Sequence, residues 1–173
     1  MNLRIAITIF VLSFTSVAFA QGKYVAKARA AYISQEYCDG IEICKTAYSK
    51  VTRKGRSAKK LKGEMALKTA DCYRFTEQFR EANDWYNRAL LLDYQEEMPE
   101  VHLFNAEMLR MMTDFDKAIE QYELYLEIVP DSDVAKLGLE SCNRNKEFIA
   151  EKTRHVIENQ TAINTDQFDM APM

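Results

Sequence analysis

The sequence predicts an all-α protein, a right-handed solenoid of three helix pairs followed by a C-terminal capping helix. The first observation is a pattern of small and aromatic residues that recurs three times. Counted from the aromatic residue that opens each second helix, the spacing is 42 residues from Tyr37 to Phe79 and 36 from Phe79 to Phe115. This period is typical of two-helix solenoid repeats, whereas an ordinary helical bundle has Ala and Tyr at helical spacing without a fixed period. The second observation is a composition of 47% apolar and 28% charged residues with only 5 Gly and 3 Pro, which favours ordered helices.

Each copy has small residues where two helices must touch and aromatic residues where they interlock. Ala82 and Ala118 allow close approach within a pair, and Tyr73, Tyr86 and Tyr122 fill the gaps between pairs. The first copy is the weakest of the three. The matching positions are Ala28, Ala31, Tyr37, Gly40, Cys44 and Ala47, then Ala70, Tyr73, Phe79, Ala82, Trp85, Tyr86 and Ala89, then Ala106, Leu109, Phe115, Ala118, Tyr122, Tyr125 and Pro130.

This order of small, aromatic and proline positions resembles the tetratricopeptide repeat, over roughly Tyr24 to Pro130. The resemblance implies a stack of helix pairs in which the first helix of each pair lines the concave side. It also implies that the chain works by holding other proteins rather than by catalysis.

The individual helices follow from hydrophobic periodicity and from start and stop residues. We expect the three pairs at residues 24–34 and 38–51, 58–75 and 79–92, and 99–112 and 115–129. Pro99 suits a first helical turn, where its missing N–H costs nothing. Asp131 and Ser132 can cap a seventh helix that runs to about residue 151. This helix should cover the last apolar face and present a polar outer surface made of Lys136, Glu140, Arg144 and Lys146.

Residues 1–20 have the features of a secretory signal peptide. Arg4 precedes an apolar run over residues 5–14, and Ala18-Phe19-Ala20 forms a small-x-small cleavage site before Gln21. A transmembrane anchor is the alternative, but the run is too short and is interrupted by hydroxyl residues. We therefore expect a repeat domain over residues 21–151 that is periplasmic and does not span the membrane once the signal is removed.

The helical period is lost over residues 152–173, which predict an extended linker or the start of another domain. A signal peptide, three repeats with a capping helix, and a tail with Arg154, Asn159 and a stretch from Phe168 to Pro172 are together similar to the N-terminal part of the PorE-type, OmpA-family envelope proteins of Bacteroidetes. That resemblance implies a scaffold of the type IX secretion and gliding apparatus. The implied partners are envelope proteins, with peptidoglycan nearby through a β-propeller and an OmpA-type domain that follow in the relatives.

Two other functions remain open. The chain is either a free-standing periplasmic repeat adaptor for outer-membrane assembly or a binder of cell-wall polysaccharide. The second hypothesis depends on exposed tyrosines and on a basic segment. This segment either contacts an anionic polymer or an acidic partner surface, or it is a solvated loop and helix start. The net charge of -3 gives no attraction to nucleic acid, which we exclude as a partner. The basic residues are Lys50, Arg53, Lys54, Arg56, Lys59, Lys60 and Lys62.

The sequence contains no recognisable catalytic motif. Its two histidines, His102 and His155, belong to no metalloprotease, hydrolase or phosphate-binding pattern, so we predict no enzyme, cofactor or metal site. Packing is the predicted role of His102. The four cysteines, Cys38, Cys44, Cys72 and Cys142, form no CxxC pair. Cys44 and Cys72 fall on neighbouring helices and either form a disulfide or act as small buried residues in place of alanine.

The predicted binding site is a groove on the concave side, lined by the first helices. Tyr32, Arg74 and Arg110 should form one column beside a second column of apolar residues. Apolar anchors next to arginines favour a peptide or helix that carries acidic residues. In the alternative, the apolar residues are buried between pairs and the arginines are merely solvated. The inward-facing positions are Arg29, Tyr32 and Ile33, then Leu67, Lys68, Asp71, Arg74 and Phe75, then Leu103, Phe104, Glu107, Arg110 and Met111.

Overall fold

The computed structural model describes residues 22–52 and 54–151, so the predicted signal peptide and the predicted extended tail lie outside the described residues. The described part forms seven α-helices and one 3₁₀ turn. None of these helices is both long and apolar enough to cross a membrane. The helices are α1 (22–33), α2 (Tyr37–Lys50), α3 (Arg56–Phe75), α4 (Phe79–Leu90), α5 (Glu100–Met111), α6 (Phe115–Ile128) and α7 (Asp133–Ala150), with the 3₁₀ turn at Tyr94–Glu96.

The helices pack in chain order. From α2 onwards each helix contacts the next, and α5 also contacts α7. The first helix joins the same core as α2 and α3 through Val25 and Ala28. This sequential packing of antiparallel pairs, with a seventh helix at the end, confirms the predicted all-α solenoid.

The core is built from the small and aromatic positions that the sequence singled out. Ala82 and Ala118 are completely buried, and Tyr86 and Tyr122 are the two largest side chains with almost no exposure. Tyr73 is also buried. Alanine brings two helix backbones close together, and the tyrosine rings then occupy the wider gaps between one pair and the next.

The two helices of every pair are joined by the same turn. Its left-handed residue is Gln35, Glu77 or Thr113, with φ of 58°, 60° and 62°. The next amide N–H donates back to a carbonyl near the end of the first helix, as from Asp114 to Leu109 at 2.9 Å. This is the Schellman arrangement, which usually has glycine at the left-handed position. Because none of the three copies has glycine there, the sequence did not predict this turn.

Helix boundaries differ from the predicted ones by a few residues. Helix α3 starts at Arg56, inside the segment expected to be a loop, and α4 stops at Leu90. The 3₁₀ turn that follows was not predicted. Its Tyr94 ring rests against Gly63, where an added Cβ would lie 2.6 Å from a ring carbon. Gly63 thus allows the turn to fold back onto α3.

The seventh helix departs furthest from expectation. Ser132 caps it as predicted, because its side chain accepts a hydrogen bond from the Ala135 amide at 3.4 Å. The predicted polar residues are exposed, yet Leu137 is 66% exposed and Phe148 is 63% exposed. The four polar residues thus lie outside as predicted, but the exposed surface of this helix also carries apolar side chains that were not predicted there. Within the described residues α7 packs mainly on α6, with a small contact to α5.

Candidate protein-binding site

The first helices touch one another through polar side chains. The Arg29 guanidinium donates to both Glu64 carboxylate oxygens, at 2.7 and 2.6 Å. Tyr32 follows Arg29 by about one turn on α1, and Asp71 follows Glu64 by about two turns on α3. The Tyr32 hydroxyl donates to the Asp71 carboxylate at 2.8 Å. Helices α1 and α3 therefore form one continuous surface.

Arg74 makes the corresponding link between α3 and α5. Its guanidinium carbon lies 4.6 Å from the centre of the Phe75 ring and 4.2 Å from that of Phe104. The same side chain is 3.4 Å from an Asp71 oxygen and 3.9 Å from a Glu107 oxygen. A guanidinium stacked on two aromatic rings and paired with two carboxylates is held in one orientation. Arg74 therefore fixes the spacing between α3 and α5, the first helices of the second and third pairs.

Asp71 is the polar centre of this surface and is only 2% exposed. Besides Tyr32 and Arg74, its carboxylate accepts a hydrogen bond from the Tyr86 hydroxyl at 2.6 Å. Three donors compensate the loss of water around a buried carboxylate. Burial, together with the negative charge of Asp71, raises the pKa of Tyr32 and of Tyr86. Both hydroxyls thus remain protonated donors at neutral pH.

Ten of the thirteen predicted binding residues lie at the surface of α1, α3 and α5, which we call the first-helix face. Ile33, Phe75 and Met111 occupy the same position at the end of successive first helices, and they are 78%, 47% and 50% exposed. The alternative in which the apolar column is buried therefore does not hold. The first-helix face comprises Arg29, Tyr32, Ile33, Lys68, Arg74, Phe75, Phe104, Glu107, Arg110 and Met111.

The three other predicted residues belong to the core. Leu67 and Leu103 are 5% and 8% exposed, and Asp71 is buried as described above. Helices α3 and α5 each pack against the helix before and the helix after, so only part of their surface stays open. Leu67 and Leu103 lie outside that part and offer no surface to a partner. The alternative in which the arginines of the groove are merely solvated is incorrect for Arg74, because its guanidinium stacks on Phe75 and Phe104 and pairs with Asp71.

Two cations of the first-helix face have no carboxylate partner within 4.0 Å among the described residues. Lys68 places its ammonium 4.0 Å from the centre of the Tyr32 ring. The Nε of Arg110 is buried and lacks a hydrogen-bond acceptor in the described part of the chain. By contrast, Arg29 and Arg74 are paired with acids of the protein itself. The positive charge left for a ligand is therefore that of Lys68 and Arg110.

The basic segment is less available than its sequence suggests. Lys59 pairs with Asp93, and Lys60 pairs with Glu97, both beside the unpredicted 3₁₀ turn. The ammonium of Lys62 lies 4.7 Å from the centre of the Tyr48 ring. These contacts neutralise or shield part of the charge that the polysaccharide hypothesis needs.

Residues with reactive side chains are engaged in packing. His102 is 9% exposed, and its Nδ1 is 2.9 Å from the Gln121 side-chain oxygen, which confirms its packing role. Within residues 22–52 and 54–151, no cluster of His, Cys, Asp and Glu is arranged to hold a metal ion. The structure holds no disulfide among the four cysteines, of which Cys44, Cys72 and Cys142 are buried and Cys38 is exposed.

No family model and no curated protein matches the chain. Solved structures do match it. The tetratricopeptide-repeat (TPR) domain of Sgt2 from Aspergillus fumigatus is 21% identical, with 82% of this chain and 91% of that chain covered and a TM-score of 0.58. The Arabidopsis OM64 TPR domain is 16% identical over 72% and 95%, with a TM-score of 0.56. A C-terminal TPR-containing domain from Plasmodium falciparum is 14% identical over 78% and 94%, with a TM-score of 0.64. The chain thus has the fold of a tetratricopeptide-repeat domain.

Proposed function

We propose that this chain is a protein-docking module whose first-helix face binds a peptide or helix of a periplasmic envelope partner. The observation that carries the proposal is the row of Ile33, Phe75 and Met111. These large apolar side chains recur at one position in three successive helix pairs and remain 47–78% exposed. Three exposed apolar residues in register along one surface are typical of a recognition site rather than of random surface composition.

The rest of the face is suited to binding because it is already held in place. The contacts of Tyr32, Asp71 and Arg74 tie α1, α3 and α5 together without a ligand. A ligand therefore loses little binding energy to ordering of the protein. Aromatic and arginine side chains are also the residue types that dominate binding energy in protein interfaces.

The charges of the face define the chemistry of the ligand. Arg29 and Arg74 are neutralised by Glu64, Asp71 and Glu107. Lys68 and Arg110 are left; Lys68 lies about two turns from Phe75 on α3, and Arg110 is next to Met111 on α5. The ligand should therefore combine apolar side chains with at least one carboxylate, as in an amphipathic helix or an extended acidic peptide.

The experiment introduces a photo-crosslinking amino acid at Phe75 or Met111 in the native host. Exposed Glu123, on the second helix of the third pair, is the matched control position. We expect one discrete partner to crosslink from the two face positions and not from the control. A segment of that partner is then titrated against the purified wild type and against Phe75→Ala and Met111→Ala. Each substitution should weaken binding by about tenfold, or about 1.4 kcal/mol. Equal affinities for all three proteins would rule out the first-helix face as the site.

For the cellular role, the resemblance described above supports a repeat module of a type IX secretion and gliding scaffold. The test is to read the source genome beyond the codon for Met173. An open frame that continues into a β-propeller and an OmpA-like domain would support the scaffold, whereas a stop codon would favour a free-standing adaptor. Fusion of residues 1–20 to a reporter that is active only outside the cytoplasm tests the proposed export. An inactive reporter would contradict it.

A sedimentation assay separates protein docking from polysaccharide binding. Among the described members of the basic segment, exposed Lys54 and Arg56 have no partner, and they are the contacts such binding would use; Arg53 lies outside the described residues. If the chain does not sediment with insoluble peptidoglycan at low salt, where charge attraction is strongest, polysaccharide binding is excluded.

A further inference from the structure

Two thiols meet at the contact between α2 and α3. Cys44 and Cys72 are both completely buried and belong to the same core cluster. A Cβ added to Gly40 would lie 3.0 Å from the sulfur of Cys72. Gly40 precedes Cys44 by one helical turn and shares its face, because residues four apart are neighbours on a helix. The sulfur of Cys72 therefore rests against the strip of α2 that carries Cys44.

The repeat pattern shows that this contact is special to the first pair. Cys44 occupies the position taken by Tyr86 in the second pair and by Tyr122 in the third. Those tyrosine rings fill the space between pairs, and both are almost fully buried. In the first pair a short thiol stands in their place, and a second thiol from the next helix contributes to filling the gap. Cys142 belongs to a different core cluster.

The two thiols also differ in acidity. A hydrogen bond with Cys72 lowers the pKa of Cys44. The same contact, together with burial, raises the pKa of Cys72. The thiolate is the form that attacks a disulfide, so either cysteine can start the exchange while the chain is still folding and both sulfurs are accessible.

We infer that Cys44 and Cys72 form a structural disulfide that joins the first helix pair to the second. The inference rests on the proposed export to the periplasm, where disulfides persist. The oxidant is a disulfide-bearing oxidoreductase or a small-molecule disulfide. One of the two thiolates attacks one sulfur of the oxidant, forms a mixed disulfide and releases the oxidant's first thiol. The other thiolate then attacks the protein sulfur of the mixed disulfide and releases the oxidant's second thiol. Two protein thiols give up two electrons and two protons, and the oxidant takes them up as two thiols.

Burial determines when this exchange can occur. Neither sulfur is exposed in the folded chain, so an oxidant cannot reach the pair once α2 has closed on α3. The bond should therefore form during folding after export. Once formed, it should resist reductants unless the protein unfolds.

The first experiment uses the full chain with its own signal, expressed in a bacterial host and recovered from the periplasm. Free thiols are alkylated in denaturant and counted by mass. We expect two modified cysteines, Cys38 and Cys142, before reduction and four after it, with a linked peptide pair that contains Cys44 and Cys72. Four modified cysteines in processed, periplasmic protein would overturn the inference. A chain that stays unprocessed in the cytoplasm contradicts the export proposal instead. In that case, refolding in a glutathione redox buffer tests the pair separately, and four free thiols would overturn it.

A second experiment separates the pair from the other two thiols. The oxidised protein and Cys38→Ala/Cys142→Ala should both melt about 10 °C lower when unfolding is followed with reductant present. Cys44→Ala/Cys72→Ala should have a melting temperature that reductant does not change. An equal response of the two double variants would overturn the inference. If a double variant does not fold, the thiol count of the unaltered chain still decides.

Discussion

Helices α3 and α7 have similar patterns of apolar residues but differ in burial, because they occupy different positions in the solenoid. Both are first helices by register and both are amphipathic. In α3, ten residues are buried, including Met65 and Asp71. In α7 only Ala135 and Cys142 are buried, and Leu137 stays 66% exposed. The difference arises because α3 lies between α2 and α4, whereas α7 has neighbours mainly on one side. Burial in a repeat protein is thus supplied by adjacent repeats more than by a helix's own sequence.

The polar groups of α3 and α7 differ in burial in the same way. The buried carboxylate of Asp71 accepts hydrogen bonds from two tyrosines and lies beside Arg74. In α7, Glu140 pairs with Arg144 at 2.5 Å, but both side chains are more than 60% exposed. A surface pair contributes little, because water screens it and both side chains lose freedom. Interactions of the central helix α3 should therefore contribute more to the free energy of unfolding than those of α7.

The largest contrast is expected between two apolar truncations. Met65→Ala should lower the free energy of unfolding by about 3–4 kcal/mol, because it leaves a cavity at a fully buried site. Leu137→Ala should change it by less than about 0.5 kcal/mol. Urea denaturation followed by circular dichroism measures both. Similar losses would mean that something outside the described residues covers α7.

Removing carboxylates should give the next contrast. Asp71→Ala should cost about 3 kcal/mol, because it leaves the Tyr32 and Tyr86 hydroxyls without their acceptor and removes the nearer carboxylate of Arg74. The matched control, Glu140→Ala, should cost about 0.3 kcal/mol. The same denaturation experiment applies, and the view of Asp71 as the polar centre fails if the two variants are equally stable.

Alkaline pH should weaken the centre through its tyrosines. The pKa of Tyr32 and of Tyr86 lies above the usual 10.0 in the folded chain. Above pH 10 the unfolded chain releases protons that the folded chain retains, so stability is lost as the pH rises. The slope should be at most about 1.4 kcal/mol per pH unit for each tyrosine. Tyr86→Phe should flatten the dependence measured between pH 9 and about 11, and an unchanged slope would argue against a role for Tyr86.

The smallest expected effect is that of relieving a left-handed turn, and it should be equal in the second helix pair, at Glu77, and in the third, at Thr113. Glu77→Gly and Thr113→Gly relieve a left-handed backbone, so each should raise the free energy of unfolding by about 0.5–1 kcal/mol. Thr46→Gly, at an exposed position within α2, should lower it by about 0.3–0.5 kcal/mol, because Thr is itself a poor helix former. Thermal unfolding compares the three. A large difference between Glu77→Gly and Thr113→Gly would show that even turn strain depends on position in the solenoid.

Sequence reasoning predicted the helices well because the signals are local. The period of small and aromatic residues located all three pairs, and Ser132 marked the start of α7. The sequence did not predict the 3₁₀ turn at Tyr94–Glu96, because the turn depends on the Tyr94 ring fitting against Gly63 of another helix. The recurring left-handed turn was missed because no glycine marks it.

The candidate site was predicted in part. Helical spacing identified the row of Ile33, Phe75 and Met111, whose exposure the structure shows. It also included Leu67, Leu103 and Asp71, which lie in the core. A shift of about 100° around a helix separates an open position from a covered one, and only the contacts with neighbouring helices decide between them.

The amino-acid sequence by itself determined the number of helix pairs, their approximate bounds and the residues that hold each pair together. These features follow from periodicity along one chain segment at a time. The tertiary structure decided which charges remain unpaired, that the sulfur of Cys72 faces the side of α2 that carries Cys44, and that Leu137 and Phe148 of α7 stay exposed. Each of these depends on residues far apart in the chain, whose distances are set only when the helices stack.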